Sequence, residues 1–109
     1  MTDPKHKCIT IDVHTHAVGE AAMSFSDAQE FVGGYLEPVR LDAWHVLLVD
    51  EDGLLKRLAR AFELHGVGRF VGNAVIVGQT GSEFTDHQLR LPAMRALVAF
   101  TEGQYGLQH

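Results

Sequence analysis

The chain has 109 residues, of which 46% are apolar, with one cysteine and a net charge of −5. This length and apolar content predict a single folded domain over residues 1–109, with loose ends at about residues 1–7 and 104–109. The negative charge disfavours nucleic acid and anionic membranes as partners, and the lone Cys8 excludes an intrachain disulfide. No apolar run approaches the roughly 20 residues of a membrane span, and the N-terminus lacks the core of a secretory signal, so a cytoplasmic protein is expected.

The first regular element is predicted over residues 8–14. Apolar and polar side chains alternate there, which is typical of a half-buried strand. This strand carries no proline, and no lysine follows Lys7, so its backbone would be open to pairing if it lay at a sheet edge. Ala17–Met23 is expected to be a connection.

A short helix is predicted next. Ser24 and Ser26 both offer an N-cap, and Ser26 has Gln29 three residues later, as in a capping box. The helix is expected to stop at Gly33 and Gly34, because the apolar period changes there from helical to alternating. Gly34 is expected to take the positive φ that a helix stop requires.

The middle of the chain predicts two strands and a tight turn. Residues 35–41 alternate, and Pro38 cannot donate to a ladder, so this strand is expected at a sheet edge or at a bulge. Residues 44–49 form a nearly continuous apolar run that is typical of a central strand. Residues 50–53, two aspartates with a glutamate and a glycine, supply a turn.

The second half of the chain is less regular in pattern. Residues 54–64 fit either a helical face or a short strand, and both alternatives stay open. Residues 70–77 predict one buried strand, interrupted at residues 72–73 by a bulge or by a close approach of another backbone segment. Pro92 starts or kinks a helix whose apolar stripe ends at Phe100.

Together these elements predict the α+β class. We expect one small, mainly antiparallel sheet of four to five strands, with two helices packed on one face.

Three segments of the chain resemble a known family. They are FVGGYLEPVRL, LLVDEDGLL and VGNAVIVG, which are similar to the small proteins grouped as domain of unknown function 3846. The resemblance covers about residues 28–78 and implies the meander described above. Members are commonly found on phage and plasmid genomes, and the family brings no activity with it. This chain departs from the family after the turn, where LKRLARAFELHG replaces a segment that usually holds a proline and an asparagine.

A row of candidate metal ligands lies near the N-terminus. Asp12, His14 and His16 would share one face if the first strand continued through them, and this chemistry suits zinc. His45 or His87 would have to supply a further ligand. A His-x-His pair also resembles the start of amidohydrolase barrels, but such a barrel needs about 200 residues or more. The alternative interpretation is a solvent-facing row on a half-buried strand.

Positive charge is concentrated in one part of the sequence, at Lys56, Arg57, Arg60 and Arg69. This patch could contact phosphate or an acidic protein surface, and an ordinary solvated face is the alternative. Cys8 has no catalytic signature around it and is expected to be a structural thiol. Tyr35 and Trp44 are expected in the core or on a sheet face.

These observations favour a binding or inhibitory accessory protein of a mobile genetic element, with no catalytic residue and no cofactor. Its expected partner is a host or phage protein, and a second copy of the chain could pair through a sheet edge. The alternative is a metal-binding protein or metal-dependent hydrolase that uses Asp12, His14 and His16. A weaker alternative is a nucleic-acid binder that uses the basic patch.

Overall fold

The computed structural model describes residues 3–53 and 60–102. Within these ranges the chain forms nine strands and two helices, which confirms the α+β class. In chain order they are β1 (His6–Asp12), β2 (Ala17–Met23), α1 (Phe25–Val32), β3 (Leu36–Asp42), β4 (His45–Asp50), β5 (Arg60–Leu64), β6 (Gly68–Val71), β7 (Ala74–Thr80), β8 (Glu83–Thr85), α2 (Leu91–Leu97) and β9 (Val98–Glu102).

The strands form two antiparallel sheets. The larger sheet has the order β2-β1-β7-β4-β3, and β8 pairs with β7 as its sixth strand. The smaller sheet has the order β6-β5-β9. The central position predicted for the apolar run is confirmed, because β4 lies between β3 and β7 and every residue of β4 is buried. The edge position predicted from Pro38 is confirmed as well, because β3 ends the larger sheet.

The larger sheet is apolar on both faces. On one face, Ile9, Leu47 and Ile76 pack with the small sheet and with Met94 of α2. On the other face, alternate residues of the same strands pack against Ala28 and Val32 of α1. The helices therefore lie on opposite faces, which differs from the expected arrangement with both on one face. The physical reason is that β4 and β7 carry apolar side chains in both directions, so each face needs its own cover.

The N-terminal strand is an internal strand, so the edge position that would have left its backbone open to pairing is not the one observed. Its backbone pairs with β2 along the whole of β1 and with β7 at Ile9–Ile11. The partner strand is Ala17–Met23, which was expected to be a connection. Its small residues give a weak strand pattern, and pairing with β1 overrides that weak local preference. His6 and Lys7 also belong to β1 and not to a loose end.

The segment predicted as one late strand is two strands. β6 and β7 lie in different sheets, and the chain changes sheet at Gly72, where φ is 89°. The described part of residues 54–64 is a strand, β5, whereas residues 54–59 lie outside the described residues. Pro92 starts α2 as one alternative predicted, but the helix ends at Leu97 and Phe100 belongs to β9.

Helix α1 has well-defined ends. Ser24 is its N-cap: the Ser24 Oγ accepts from the Asp27 backbone N–H, and the Asp27 carboxylate accepts from the Ser24 N–H. This capping box begins two residues before the expected pair of Ser26 and Gln29. The helix stops at Gly33, whose φ is 95° and whose N–H donates to the Gln29 carbonyl at 2.8 Å. Gly33, and not Gly34, therefore takes the left-handed conformation.

The connection between β8 and α2, residues 86–90, crosses the larger sheet and is called the strap below. The Lys7 N–H donates to the Asp86 carboxylate at 2.8 Å, and the His87 N–H donates to the Lys7 carbonyl at 3.0 Å. The Gln88 N–H donates to His45 Nε2 at 3.0 Å. The strap passes so close to Gly78 that a Cβ there would overlap the Asp86 carbonyl.

Replacing Gly33 with alanine tests the helix stop. A Cβ at Gly33 would have nothing within 4 Å, so the cost is backbone strain alone, about 1–2 kcal/mol of unfolding free energy. Gly34→Ala is the matched control, and its effect is expected to be smaller. Urea unfolding of both variants measures the difference. Equal midpoints for the two variants would contradict the assignment of the left-handed position to Gly33.

Replacing Gly78 with alanine tests the strap. The added methyl group would overlap backbone atoms of Asp86, so the strap must shift, and we expect a loss of about 1–3 kcal/mol of unfolding free energy. Gly19→Ala is the control, because a Cβ there would meet Thr10 Oγ1 at an ordinary 3.5 Å. If Gly78→Ala unfolds at the same urea concentration as Gly19→Ala, the strap does not pack closely against the sheet at Gly78.

Candidate functional site

The predicted metal ligands lie around the four-residue turn between β1 and β2, residues 13–16, called the hairpin loop below. Asp12 is the last residue of β1, and its Oδ1 accepts from the N–H groups of His14 at 2.8 Å and Thr15 at 3.2 Å. The strand alternation therefore ends at Asp12, and His14 and His16 do not continue its face. Within residues 3–53 and 60–102, no three His, Cys, Asp or Glu side chains are grouped as a metal site requires.

The hairpin loop is fixed from several sides. The Val13 N–H donates to Asn73 Oδ1 at 2.8 Å, and the Asn73 amide donates to the Phe31 carbonyl at 3.2 Å. The His16 ring stacks on Phe100, with ring centroids 5.1 Å apart and the planes 7° apart. His16 also has a φ of 57°, in the left-handed region that histidine adopts more readily than most residues. The loop therefore presents its exposed residues in one conformation.

The described part of the predicted basic patch is divided between two strands. Arg69 of β6 lies opposite Glu63 of β5. Arg60 lies on β5 three residues before Glu63, so the pleat directs the Arg60 side chain to the opposite face of the small sheet from that of Glu63. Its Nη1 donates to the His14 carbonyl at 2.9 Å, which joins Arg60 to the hairpin loop. Lys56 and Arg57 lie outside the described residues.

A second arginine, Arg95 of α2, also reaches the hairpin loop. Its Nε donates to the Val18 carbonyl at 3.1 Å, just after the loop. Arg95 and Phe100 line an open pocket of about 340 Å³ together with His16, Ala17 and Val18. The sequence pattern does not reveal this site, because Arg95 and Phe100 lie about eighty residues from the loop and their pattern predicts one continuous helix.

The two buried histidines that were candidates for a further metal ligand, His45 and His87, use their ring nitrogens in hydrogen bonds that hold the strap. His45 Nε2 accepts from the Gln88 N–H, so Nδ1 carries the proton and donates to Asp42 Oδ1 at 2.9 Å. His87 Nδ1 accepts from the Leu89 N–H at 3.0 Å, and its Nε2 donates to Glu20 at 2.6 Å. Both nitrogens of each ring are bonded within the protein. Each imidazole therefore joins the strap to the sheet and has no lone pair left for a metal.

Two titratable groups have shifted pKa values with clear causes. Burial raises the pKa of the Cys8 thiol to about 11, and its side chain is 2% exposed. A neutral, inaccessible thiol fits the expected structural role. For Asp42, burial by itself would raise the pKa, but hydrogen bonds from the Trp44 N–H and from His45 outweigh it, so the pKa lies below its usual value.

The edge strand β3 has an exposed aromatic residue at each end. Tyr35 precedes it and is 72% exposed, and Trp44 follows it in the β3–β4 turn and is 63% exposed. This is a correction to the expectation that both lie in the core or on a sheet face. Backbone bonds hold both positions: the Tyr35 carbonyl accepts from the Glu51 N–H and the Trp44 carbonyl from the Gln79 N–H. The side chains are left in solvent.

Comparison with protein families identifies the chain. The model of the family described as Domain of unknown function (DUF3846) matches residues 3–98. The chain belongs to this family. The match extends well beyond the three segments that carried the resemblance, and it includes the hairpin loop, the strap and α2. Comparison with curated proteins and with solved structures gives no significant match. Neither helix in the described ranges has the length and apolar character needed to cross a bilayer.

The shifted pKa of Asp42 predicts a specific acid sensitivity. Its pKa is lower in the folded than in the unfolded chain, so its stabilisation is complete above the usual carboxyl pKa of about 3.9 and is lost as the pH falls through the folded value. We expect wild type to be more stable than Asp42→Asn at pH 5, and the difference to shrink by pH 3. Urea unfolding at both pH values measures it. A difference that stays constant between pH 5 and pH 3 would contradict the role of Asp42.

Proposed function

We propose that the protein is a noncatalytic, protein-binding accessory module of a phage or plasmid, which binds or inhibits a host or phage protein in the cytoplasm. The observation that carries the proposal is the edge strand β3 with exposed Tyr35 and Trp44 at its two ends. The genomic setting follows from the family resemblance.

The edge of β3 offers backbone groups to a partner. Among the described strands, β3 pairs only with β4, so its other side can accept an added strand from a second protein. Pro38 has no N–H and interrupts that side near its middle. The half next to Trp44 contains a register shift between Arg40 and Asp42, so the half next to Tyr35 is the more regular one for pairing. Such a recognition mode uses main-chain hydrogen bonds for affinity and side-chain contacts for specificity.

The two aromatic side chains would supply the anchors. Tryptophan and tyrosine are enriched among the residues that contribute most to binding at protein interfaces. β3, the strand between the two anchors, has seven residues and is roughly 23 Å long at about 3.3 Å per residue. An extended partner segment would need more than about seven residues to reach both anchors. Burial of these exposed rings adds the apolar contribution that an edge strand alone lacks.

The roles of the buried histidines support the noncatalytic part of the proposal. The two histidine–carboxylate pairs have the composition of a general base with its orienting group, but all four ring nitrogens are bonded within the protein. A catalytic histidine needs one nitrogen within reach of substrate. These pairs stabilise the strap instead.

The test compares capture by two variants. Tyr35→Ser with Trp44→Ser removes both anchors, and Val67→Ser is the matched control, because Val67 is another exposed apolar residue in the turn after β5. Tagged proteins are used to capture partners from host cells with and without the phage or plasmid. We expect partners shared by wild type and Val67→Ser, and their loss from the double variant. Partners that the double variant retains in full would contradict the proposal for β3.

Sedimentation separates a second copy of the chain from a different partner. If β3 pairs with itself, wild type and Val67→Ser will form dimers at high concentration and the double variant will stay monomeric. If the partner is another protein, all three will be monomeric and only capture will differ. Circular dichroism of the double variant is the control for folding. We expect a folded variant, because both side chains are exposed and their removal leaves the core intact.

A further inference from the structure

We infer that the pocket beside the hairpin loop is a binding site for a phosphate monoester carried on a flat ring, of the size of a nucleoside monophosphate. The pocket is the one lined by His16, Ala17, Val18, Arg95 and Phe100, and Arg60 donates to the His14 carbonyl of the adjoining loop. It is separate from β3, so this inference does not rest on the proposed protein partner.

The first argument is the presence of unneutralised positive charge in an acidic chain. The chain has a net charge of −5, yet in the described ranges no carboxylate forms an ion pair with Arg95, while Arg60 lies opposite Glu102 of β9. Asp12, the carboxylate that directly precedes the loop, accepts hydrogen bonds from two backbone N–H groups inside the loop. Two arginines from different elements, β5 and α2, thus reach one loop, and the charge of Arg95 is available for an anion.

The second argument is preorganisation. Arg60 donates to the His14 carbonyl through Nη1, and Arg95 donates to the Val18 carbonyl through Nε. A guanidinium has five N–H donors, and these bonds leave most of them available. In residues 3–53 and 60–102 nothing accepts from the two Nη groups of Arg95. Because neutral carbonyls hold the side chains, each arginine is oriented without losing its charge. Little conformational entropy would be lost when an oxyanion binds.

The third argument is the aromatic wall. His16 and Phe100 are stacked nearly parallel and line the same pocket as Arg95. The flat ring of a ligand would contact these aromatic side chains while the phosphate of the ligand binds the Arg95 guanidinium. The N–H groups of a guanidinium match the geometry of phosphate oxygens. A volume of about 340 Å³ lies at the lower end of the range for small-molecule sites, which is roughly 300–1,000 Å³. This chemistry selects a mononucleotide over a bare anion.

The experiment is an NMR titration of the whole chain with adenosine monophosphate, adenosine and inorganic phosphate at low ionic strength. We expect the nucleotide to shift the amide signals of residues 13–18 and 95–100. Adenosine and phosphate alone should each bind at least about tenfold more weakly, since each makes only part of the contacts. Arg95→Gln should weaken nucleotide binding by about tenfold. The matched control is Arg90→Gln, which removes the same charge from the exposed N-cap of α2 and should change binding by less than about twofold.

Several results would overturn the inference. They are shifts spread outside the pocket, equal affinity for adenosine and its monophosphate, or equal weakening by Arg90→Gln and Arg95→Gln. Tighter binding of a short single-stranded oligonucleotide than of the mononucleotide would assign the surface to nucleic acid instead. If Arg95→Gln fails to fold, the wild-type shift map still decides the location. Phe100→Leu, which keeps an apolar residue but removes the stack, should then weaken the nucleotide more than inorganic phosphate.

Discussion

The crossing of the strap over Gly78 determines where α2 and β9 lie. The absence of a side chain at Gly78 lets the Asp86 backbone sit directly against the sheet. From there His87 reaches Glu20 and Gln88 reaches His45, so the strap is bonded at both sides of its crossing. The strap then delivers α2 and β9, and with them Arg95 and Phe100, to the hairpin loop. A packing constraint at one glycine thus positions a surface formed by distant parts of the sequence.

A second point of control is the change of sheet between β6 and β7. Gly72 takes a positive φ that redirects the chain, and the next residue, Asn73, bonds the Val13 N–H with its oxygen and the Phe31 carbonyl with its amide. Asn73 therefore links the hairpin loop, the C-terminal end of α1 and the start of the central strand β7. A half-buried asparagine whose donor and acceptor are both used favours this one arrangement of the three elements, because another arrangement would leave these polar atoms without their partners.

Local pattern was enough to predict some elements from the sequence and not others. Three features depend only on residues close in sequence and were therefore predictable. They are the alternation in β1, the apolar run of β4 and the proline in β3. β2 was missed because its small residues gain strand structure only by pairing with β1. His14 and His16 continued the alternation in sequence while the backbone turned at Asp12. The pocket was not predictable, since Arg95 and Phe100 join it through the strap, whose course depends on tertiary contacts with His45 and Gly78.

The two surfaces proposed for binding lie at opposite edges of the larger sheet. β2, which follows the hairpin loop, and β3 are the first and last strands of the order β2-β1-β7-β4-β3. Four spacings of about 4.8 Å place them roughly 19 Å apart. A ligand in the pocket would therefore not compete directly with a partner on β3. The intervening strands are buried and hydrogen-bonded on both sides, so coupling would need a second arrangement of this core. The strap connects the two surfaces, because it contacts β4 through His45, next to Trp44, and leads into α2, which holds Arg95.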